Sequence, residues 1–155
     1  GALGADRARR LVDLDGLKAV NDAHGHAVGT DVLRITGERL KSALRTSDTV
    51  ARLSGDEFVI VIDGLKRLED VGEVPTKLLG VVAQPMQPNR PGDATGPEVT
   101  VTCSIGVSLY PRDSVEPEGL VRMADMAMYQ AKASGRARYV VHSMRGPADG
   151  PPIVS

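Results

Sequence analysis

Two carboxylates spaced two residues apart, Asp13 and Asp15, stand at the end of the short apolar run Leu11–Leu14. A second acidic pair, Asp56 and Glu57, lies in the stretch Ser54-Gly55-Asp56-Glu57-Phe58. Antiparallel pairing of the flanking strands would bring the two pairs to one edge of a sheet. Carboxylates held that close repel and stay ionised when divalent cations sit among them. Hard oxygen donors on strand ends suit Mg²⁺ or Mn²⁺, and two such ions could activate a hydroxyl and stabilise a departing pyrophosphate. An acidic hairpin tip can equally be a plain charged turn. Asp13 weighs against that reading, because an unpaired carboxylate inside an apolar strand is costly. A second cluster is cationic. Lys132 and Arg136 are four residues apart at the end of a helical pattern and project from one side. They either complement the helix C-terminus or clamp a terminal phosphate, with Gly135 ending the helix and freeing Arg136 to swing.

The elements that must position these groups follow from periodicity. Leu11–Leu14 reads as a buried strand, Gly16 to Ala23 as a helix and Gly25 to Gly29 as a turn. Leu33, Gly37, Leu40 and Leu44 recur at helical spacing, predicting a helix over Asp31–Leu44. Thr49–Leu53 and Phe58–Ile62 form a hairpin with the acids at its tip. Leu65–Val82 reads as a helix interrupted by Gly72 and Pro75, and Pro85 to Pro97 as a loop. Val99–Leu109 is a strand that includes Cys103. Ser114 is a candidate N-cap for a helix carrying Leu120, Ala124, Ala127, Met128 and Ala131 on one face. Tyr139–Val141 is a last strand, and the tail from Gly146 is expected to be disordered. Strands and helices interleaved around a hairpin predict an α+β fold with a mixed or antiparallel central sheet.

Composition narrows the function classes. The 155 residues fit one domain, and 41% hydrophobic with 25% charged residues excludes a disordered chain. A net charge of -1 and an aromatic content of 3% without Trp leave no electrostatic or stacking basis for nucleic-acid binding. The single cysteine excludes a disulfide framework and fits a reducing compartment. No run approaches the length of a membrane span, and Gly1 to Arg10 lacks the apolar core of a signal peptide. A cytoplasmic protein is expected.

Read together, the run Asp13-Leu-Asp-Gly-Leu-Lys-Ala-Val-Asn-Asp22, then Gly25-His26, then Asp48 through the SGDEF turn to Phe58, resembles the GGDEF domain of diguanylate cyclases. Thr102-Cys-Ser-Ile-Gly106 and Ala124-Asp-Met-Ala-Met-Tyr-Gln-Ala-Lys-Ala-Ser-Gly-Arg136 are similar to the family's later blocks, in order. The likeness covers about Leu11 to Val141. It implies a palm-like fold (adenylate cyclase or ferredoxin-like), with a mostly antiparallel sheet flanked by helices. The domain would run over residues 11–142, with 1–10 a remnant or appended lead-in and 143–155 a disordered tail.

The resemblance also implies an activity: two GTP molecules condensed into cyclic di-GMP across a homodimer, with two Mg²⁺ or Mn²⁺ ions per site. Asp13 and Leu14 would be metal ligands. Asp56 would bind metal and activate the 3′-hydroxyl, with Glu57 beside it on the metals. Ser54 and Gly55 would approach the phosphates, Asn21 would contact guanine, and Lys132 and Arg136 would hold the terminal phosphate. Arg45-Thr-Ser-Asp48 is similar to the family's RxxD motif, which binds cyclic di-GMP as an inhibitor; by itself such a pair reads as a solvated ion pair. A sensor or receiver domain upstream is the expected partner in the full-length protein.

Three departures stand out. Ser54 replaces the first glycine of GGDEF, a small-for-small change compatible with activity. Thr30 replaces an aspartate that accepts hydrogen bonds from guanine, and a hydroxyl offers no paired acceptor. That loss could admit ATP and yield cyclic GMP-AMP. The family's usual opening helix and D-x-L-T-G-L-x-N-R block have no counterpart here. The alternative function is a catalytically weak domain that acts as a receptor for cyclic di-GMP or GTP.

Overall fold

The structure is a computed structural model and describes residues 7–65, 67–88 and 96–144. Its elements are β1 (Arg7–Asp15), α1 (Leu17–His24), α2 (His26–Ala43), β2 (Thr49–Ser54), β3 (Glu57–Asp63), a 3₁₀ turn at Leu68–Gly72, α3 (Glu73–Val82), β4 (Thr102–Tyr110), α4 (Pro117–Ala133), β5 (Tyr139–Val141) and a final 3₁₀ turn at His142–Met144. The five strands lie in the order β2-β3-β1-β4-β5. Every neighbouring pair is antiparallel except β4 with β5. The α+β class with a mostly antiparallel sheet is therefore the fold observed.

The sheet divides by the alternation of side chains along β1 and β4. Val12 and Leu14 of β1 join Cys103, Ile105, Val107 and Leu109 of β4 in the larger core, together with residues of α1, α2 and α3. Leu11 faces the other way, against Ala124 and Met128 of α4. On that α4 side, β4 presents small or hydroxylic residues, Ser104, Gly106 and Ser108. Gly106 is there for closeness: a Cβ on it would fall 1.9 Å from the carbonyl oxygen of Ala124 and 2.4 Å from the amide of Met128. Ser108 donates to the Leu120 carbonyl at 2.6 Å and fastens the start of α4 to the same strand.

Several boundaries differ from the sequence expectations for local reasons. β1 begins at Arg7, because Arg9 and Arg10 pair across to both Val61–Ile60 and Ser108–Val107. The predicted turn over Gly25 to Gly29 collapses to Gly25 alone: its φ of 94° reverses the chain, and α2 starts at His26. The predicted helix over Leu65–Val82 is split at Gly72, with the 3₁₀ turn before it and α3 after it, where Pro75 falls in the first turn and needs no amide partner. Ser114 does not cap α4. Its hydroxyl instead accepts from the Glu116 amide at 3.1 Å, and Glu116 is the cap residue, followed by Pro117. The ends of the predicted loop Pro85 to Pro97 meet through the Met86–Val99 bridge; its residues 89–95, residues 1–6 of the lead-in and the tail from Gly146 lie outside the described residues.

Candidate active site at the end of the first strand

The acidic tip is built by a tight turn. Ser54 of β2 pairs with Glu57 of β3, leaving Gly55 and Asp56 as the two-residue loop, with Gly55 at φ 41°. Arg52 Nε donates to the Gly55 carbonyl at 2.8 Å and braces the turn. β3 then runs antiparallel to β1 with Glu57 opposite Asp13, so these two share the face toward α4. The Leu14 amide donates to the Asp56 carbonyl at 3.3 Å and ties the turn to β1. Both acid pairs thus meet at one end of the sheet, as their spacing requires.

Lys132 and Arg136 arrive from the opposite direction, at the end of α4. Lys132 Nζ lies 3.1 Å from Asp15 Oδ1 and 3.3 Å from Asp13 Oδ2. Arg136 Nε is 3.7 Å from the same Asp15 oxygen. Arg136 follows Gly135 with its side chain 58% exposed and its guanidinium turned toward Asp15. The two residues after Gly135, Arg136 and Ala137, both adopt positive φ, at 63° and 52°, which costs free energy in non-glycine residues. The Ala137 amide donating to Asp15 Oδ2 at 3.1 Å holds this turn.

Asp15 is the residue that motif spacing undervalues. It also accepts from Thr102 Oγ1 at 2.8 Å and from Ser104 Oγ at 2.9 Å. Burial alone would raise its pKa, but the Thr102, Ser104, Lys132 and Ala137 donors outweigh it and hold the carboxyl below its ordinary value. Thr102 and Ser104, at i and i+2 on β4, are the hydroxyls that point to it, whereas the third hydroxyl of that strand, Ser108, finds a backbone acceptor on α4. Asp13 contrasts with Asp15. Burial, set against Lys132 and joined by repulsion from Asp56, raises Asp13 to about 6, and its Oδ1 is buried without a partner. Glu57 is also raised, by burial and then by Asp125 and Asp56.

An open cleft of about 770 Å³ lies beside this cluster, lined among others by Leu14, Asp15, Asp56, Lys132 and Arg136. Its floor includes Gly16 and the first turn of α1, at Leu17, Lys18 and Ala19. Gly16 caps α1 with no side-chain hydrogen bond at φ 83°, so the first-turn amides are left for an anion. Ser54 and Gly55 are exposed on the hairpin and do not line the cleft. Asn21 and Thr30 lie elsewhere on α1 and α2: the Asn21 carboxamide stands where a Cβ on Gly29 would be, with exposed Thr30 next along. Arg45 and Asp48 are not part of the cleft. Arg45 reaches the Asp63 carbonyl at 2.7 Å, at the far end of β3.

Two tests bear on a cation. Among the described residues, no three His, Cys, Asp or Glu side chains converge into a cage. The donors present are instead two carboxylates, Asp13 and Asp56, which interact directly, and the neighbouring Leu14 carbonyl, with the unpartnered Asp13 Oδ1 as an unmet acceptor. A site of one or two carboxylates that borrows phosphate oxygens from its substrate is the kind Mg²⁺ occupies. The residues therefore fit a divalent ion that arrives with a nucleotide.

Residues 8–138 match the family model described as diguanylate cyclase, GGDEF domain. The chain belongs to the GGDEF domain family. It is 43% identical over 129 residues to the bifunctional diguanylate cyclase/cyclic di-GMP phosphodiesterase MucR of Pseudomonas aeruginosa, covering 83% of this chain and 18% of MucR. It is 38% identical over 126 residues to diguanylate cyclase TpbB of the same species, covering 81% of this chain and 28% of TpbB. The chain thus spans less than a third of either relative. The crystal structure of the GGDEF domain of TpbB superposes with a TM-score of 0.79 at 34% identity, covering 86% of this chain and 80% of that one. The cyclase palm fold is shared with that domain. No helix among the described residues is long and apolar enough to cross a membrane.

Proposed function

We propose that this domain is a diguanylate cyclase that condenses two GTP molecules into cyclic di-GMP in a homodimer with Mg²⁺ or Mn²⁺. The observation that carries the reading is the convergence of Asp56, Lys132 and Arg136 with the uncapped start of α1 around one cleft, with Asp13 joined to it through Lys132. Asp13, Asp56 and the Leu14 carbonyl would hold the metal, with Glu57 across the strand from Asp13. The bound ions would neutralise charge on the leaving pyrophosphate and make the 3′-hydroxyl easier to ionise. The protein's own part is placement: α1 amides and the Lys132–Arg136 pair orient the phosphates, and Asp56 stands to accept the hydroxyl proton. Each chain offers one such cleft, so joining two nucleotides requires a second copy.

A second reading concerns the base. Thr30 is exposed beside the Asn21–Gly29 packing, where a carboxylate would have met guanine's paired donors. Its hydroxyl leaves room for adenine, and cyclic GMP-AMP would then form from mixed substrates. Arg45 and Asp48 would bind cyclic di-GMP as inhibitor, and in the full-length protein an upstream sensor or receiver domain would set activity. The deciding experiment incubates the protein with Mg²⁺ and GTP, ATP or both, and identifies products by mass. Cyclic di-GMP from GTP is expected, with cyclic GMP-AMP from the mixture as the mark of the Thr30 reading. Dimers that make no cyclic dinucleotide under any condition would leave only a receptor role.

A further inference from the structure

Lys132 bridges two carboxylates that differ in kind. Asp15 is saturated: its side chain is 6% exposed and it takes hydrogen bonds from Thr102, Ser104 and the Ala137 amide besides the lysine. Asp13 is under-supplied. Its Oδ1 is buried without a partner, and among the described residues Lys132 is the cation within ion-pair distance of its Oδ2, at 3.3 Å. An ammonium on a flexible stem therefore stands at the carboxylate that the proposed function assigns to a divalent ion.

We propose that Lys132 is the internal counter-cation of Asp13, competing with the divalent ion in the empty domain and released toward the nucleotide's phosphate as the ion binds. Asp15 acts as the positioning residue: it keeps hold of Lys132 from the buried side, so that the lysine pivots between Asp13 and the cleft without leaving the site. An ion at the unpartnered Oδ1 and the ammonium at Oδ2 would repel across one half-buried carboxylate, so each weakens the other's hold on Asp13. A phosphate that draws Lys132 away frees Asp13 for the ion, and by thermodynamic reciprocity the ion frees Lys132 for the phosphate. The empty domain consequently holds metal weakly, and metal and nucleotide bind together.

This inference rests on Asp13 being a cation ligand, and the test separates the two. Mn²⁺ is titrated into the nucleotide-free protein and the loss of free-ion signal is followed by electron paramagnetic resonance. Lys132→Met should tighten Mn²⁺ about fivefold to tenfold, the order expected for removing one competing charge pair at a partly exposed site. Lys132→Arg, which keeps the charge, should stay near wild type. Arg136→Met removes the same charge from beside Asp15 alone and should change affinity less than about twofold, since it does not reach Asp13. The gain from Lys132→Met should vanish in an Asp13→Asn background. Unchanged or weaker binding by Lys132→Met, or an equal gain from Arg136→Met, overturns the counter-cation role while leaving the cation site intact. Mn²⁺ binding indifferent to Asp13→Asn overturns the site itself. Unfolding midpoints of each variant distinguish a binding change from a loss of fold.

Discussion

β1 carries charge at both ends, and the two ends are finished in opposite ways. At its C-terminal end, Asp13 keeps an unpartnered buried oxygen and shares its lysine with Asp15, beside an open cleft. Toward its start, Arg10 is 1% exposed in the larger core, donating to the Val71 carbonyl at 3.2 Å, with Nε and Nη1 unpartnered. Burial lowers Arg10 to about 10, and the carboxylate that opposes this shift is Asp48. Asp48 in turn is closed in: its side chain is 2% exposed and accepts from the Arg45 amide at 3.0 Å, with the Arg45 guanidinium at 3.4 Å. The acidic end is short of cations and open to one. The Arg45–Asp48 end has satisfied its acid internally, so a ligand that uses Asp48 must first take it from Arg45 and weaken the counter-charge of Arg10. The two ends differ in solvent access, with 15% of the Asp13 side chain exposed against 2% of Asp48, although both are built from the same residue types.

The widest expected difference between the ends is in turnover. Asp56→Ala should lower cyclic dinucleotide formation by about a hundredfold or more, the scale of losing a group that stabilises developing charge. Steady-state assays read this, and retained activity would remove Asp56 from the mechanism. The seat of α4 comes next. Gly106→Ala forces a methyl into the Ala124 and Met128 backbone and should cost about 2–3 kcal/mol of stability in urea unfolding; a neutral result would mean that α4 is free to lift.

The closed end is tested through stability. Asp48→Ala should destabilise the fold by about 2 kcal/mol more than Arg45→Ala does, because it leaves buried Arg10 without its counter-charge. In an Arg10→Met background that excess should disappear, and a persistent excess would detach Asp48 from Arg10. Between the ends, Thr30→Asp should raise the GTP over ATP preference in competition assays, on the order of tenfold from restored hydrogen bonds; an unchanged ratio would count against promiscuity. The smallest effect belongs to Cys103, opposite Leu14 on β4. Burial, with Asp15 next, pushes its thiol from 9.0 up to about 12. The unfolded thiol ionises above pH 9.0 while the folded one stays protonated to about 12, so its contribution to stability is lost as pH rises across that window. Maleimide labelling at pH 8 should therefore be slow in the folded protein and fast in denaturant.

The acidic end was largely legible in the sequence. Asp13 interrupting an apolar strand, the SGDEF hairpin and the four-residue spacing of Lys132 and Arg136 each carry a local physical signal, and β1–β3 pairing adds them together. What stayed hidden depended on long-range packing. Arg9-Arg10 reads as part of a polar, basic lead-in ahead of the strand, yet both pair within β1 and alternation turns Arg10 into the core. Asp48 reads as half of a surface pair because burial is invisible three residues from an exposed arginine. Gly25 to Gly29 looks like a five-residue turn, since composition cannot tell one glycine that reverses the chain from two that bracket a loop. Asp15 is the opposite case, an acid whose importance is set by donors 87 and 89 residues away.

The missing side chain at Gly106 bears on how such a site persists. There α4 rests on peptide groups, and peptide groups have the same shape whatever the sequence around them. The height at which Lys132 hangs above Asp13 is therefore inherited from main chain.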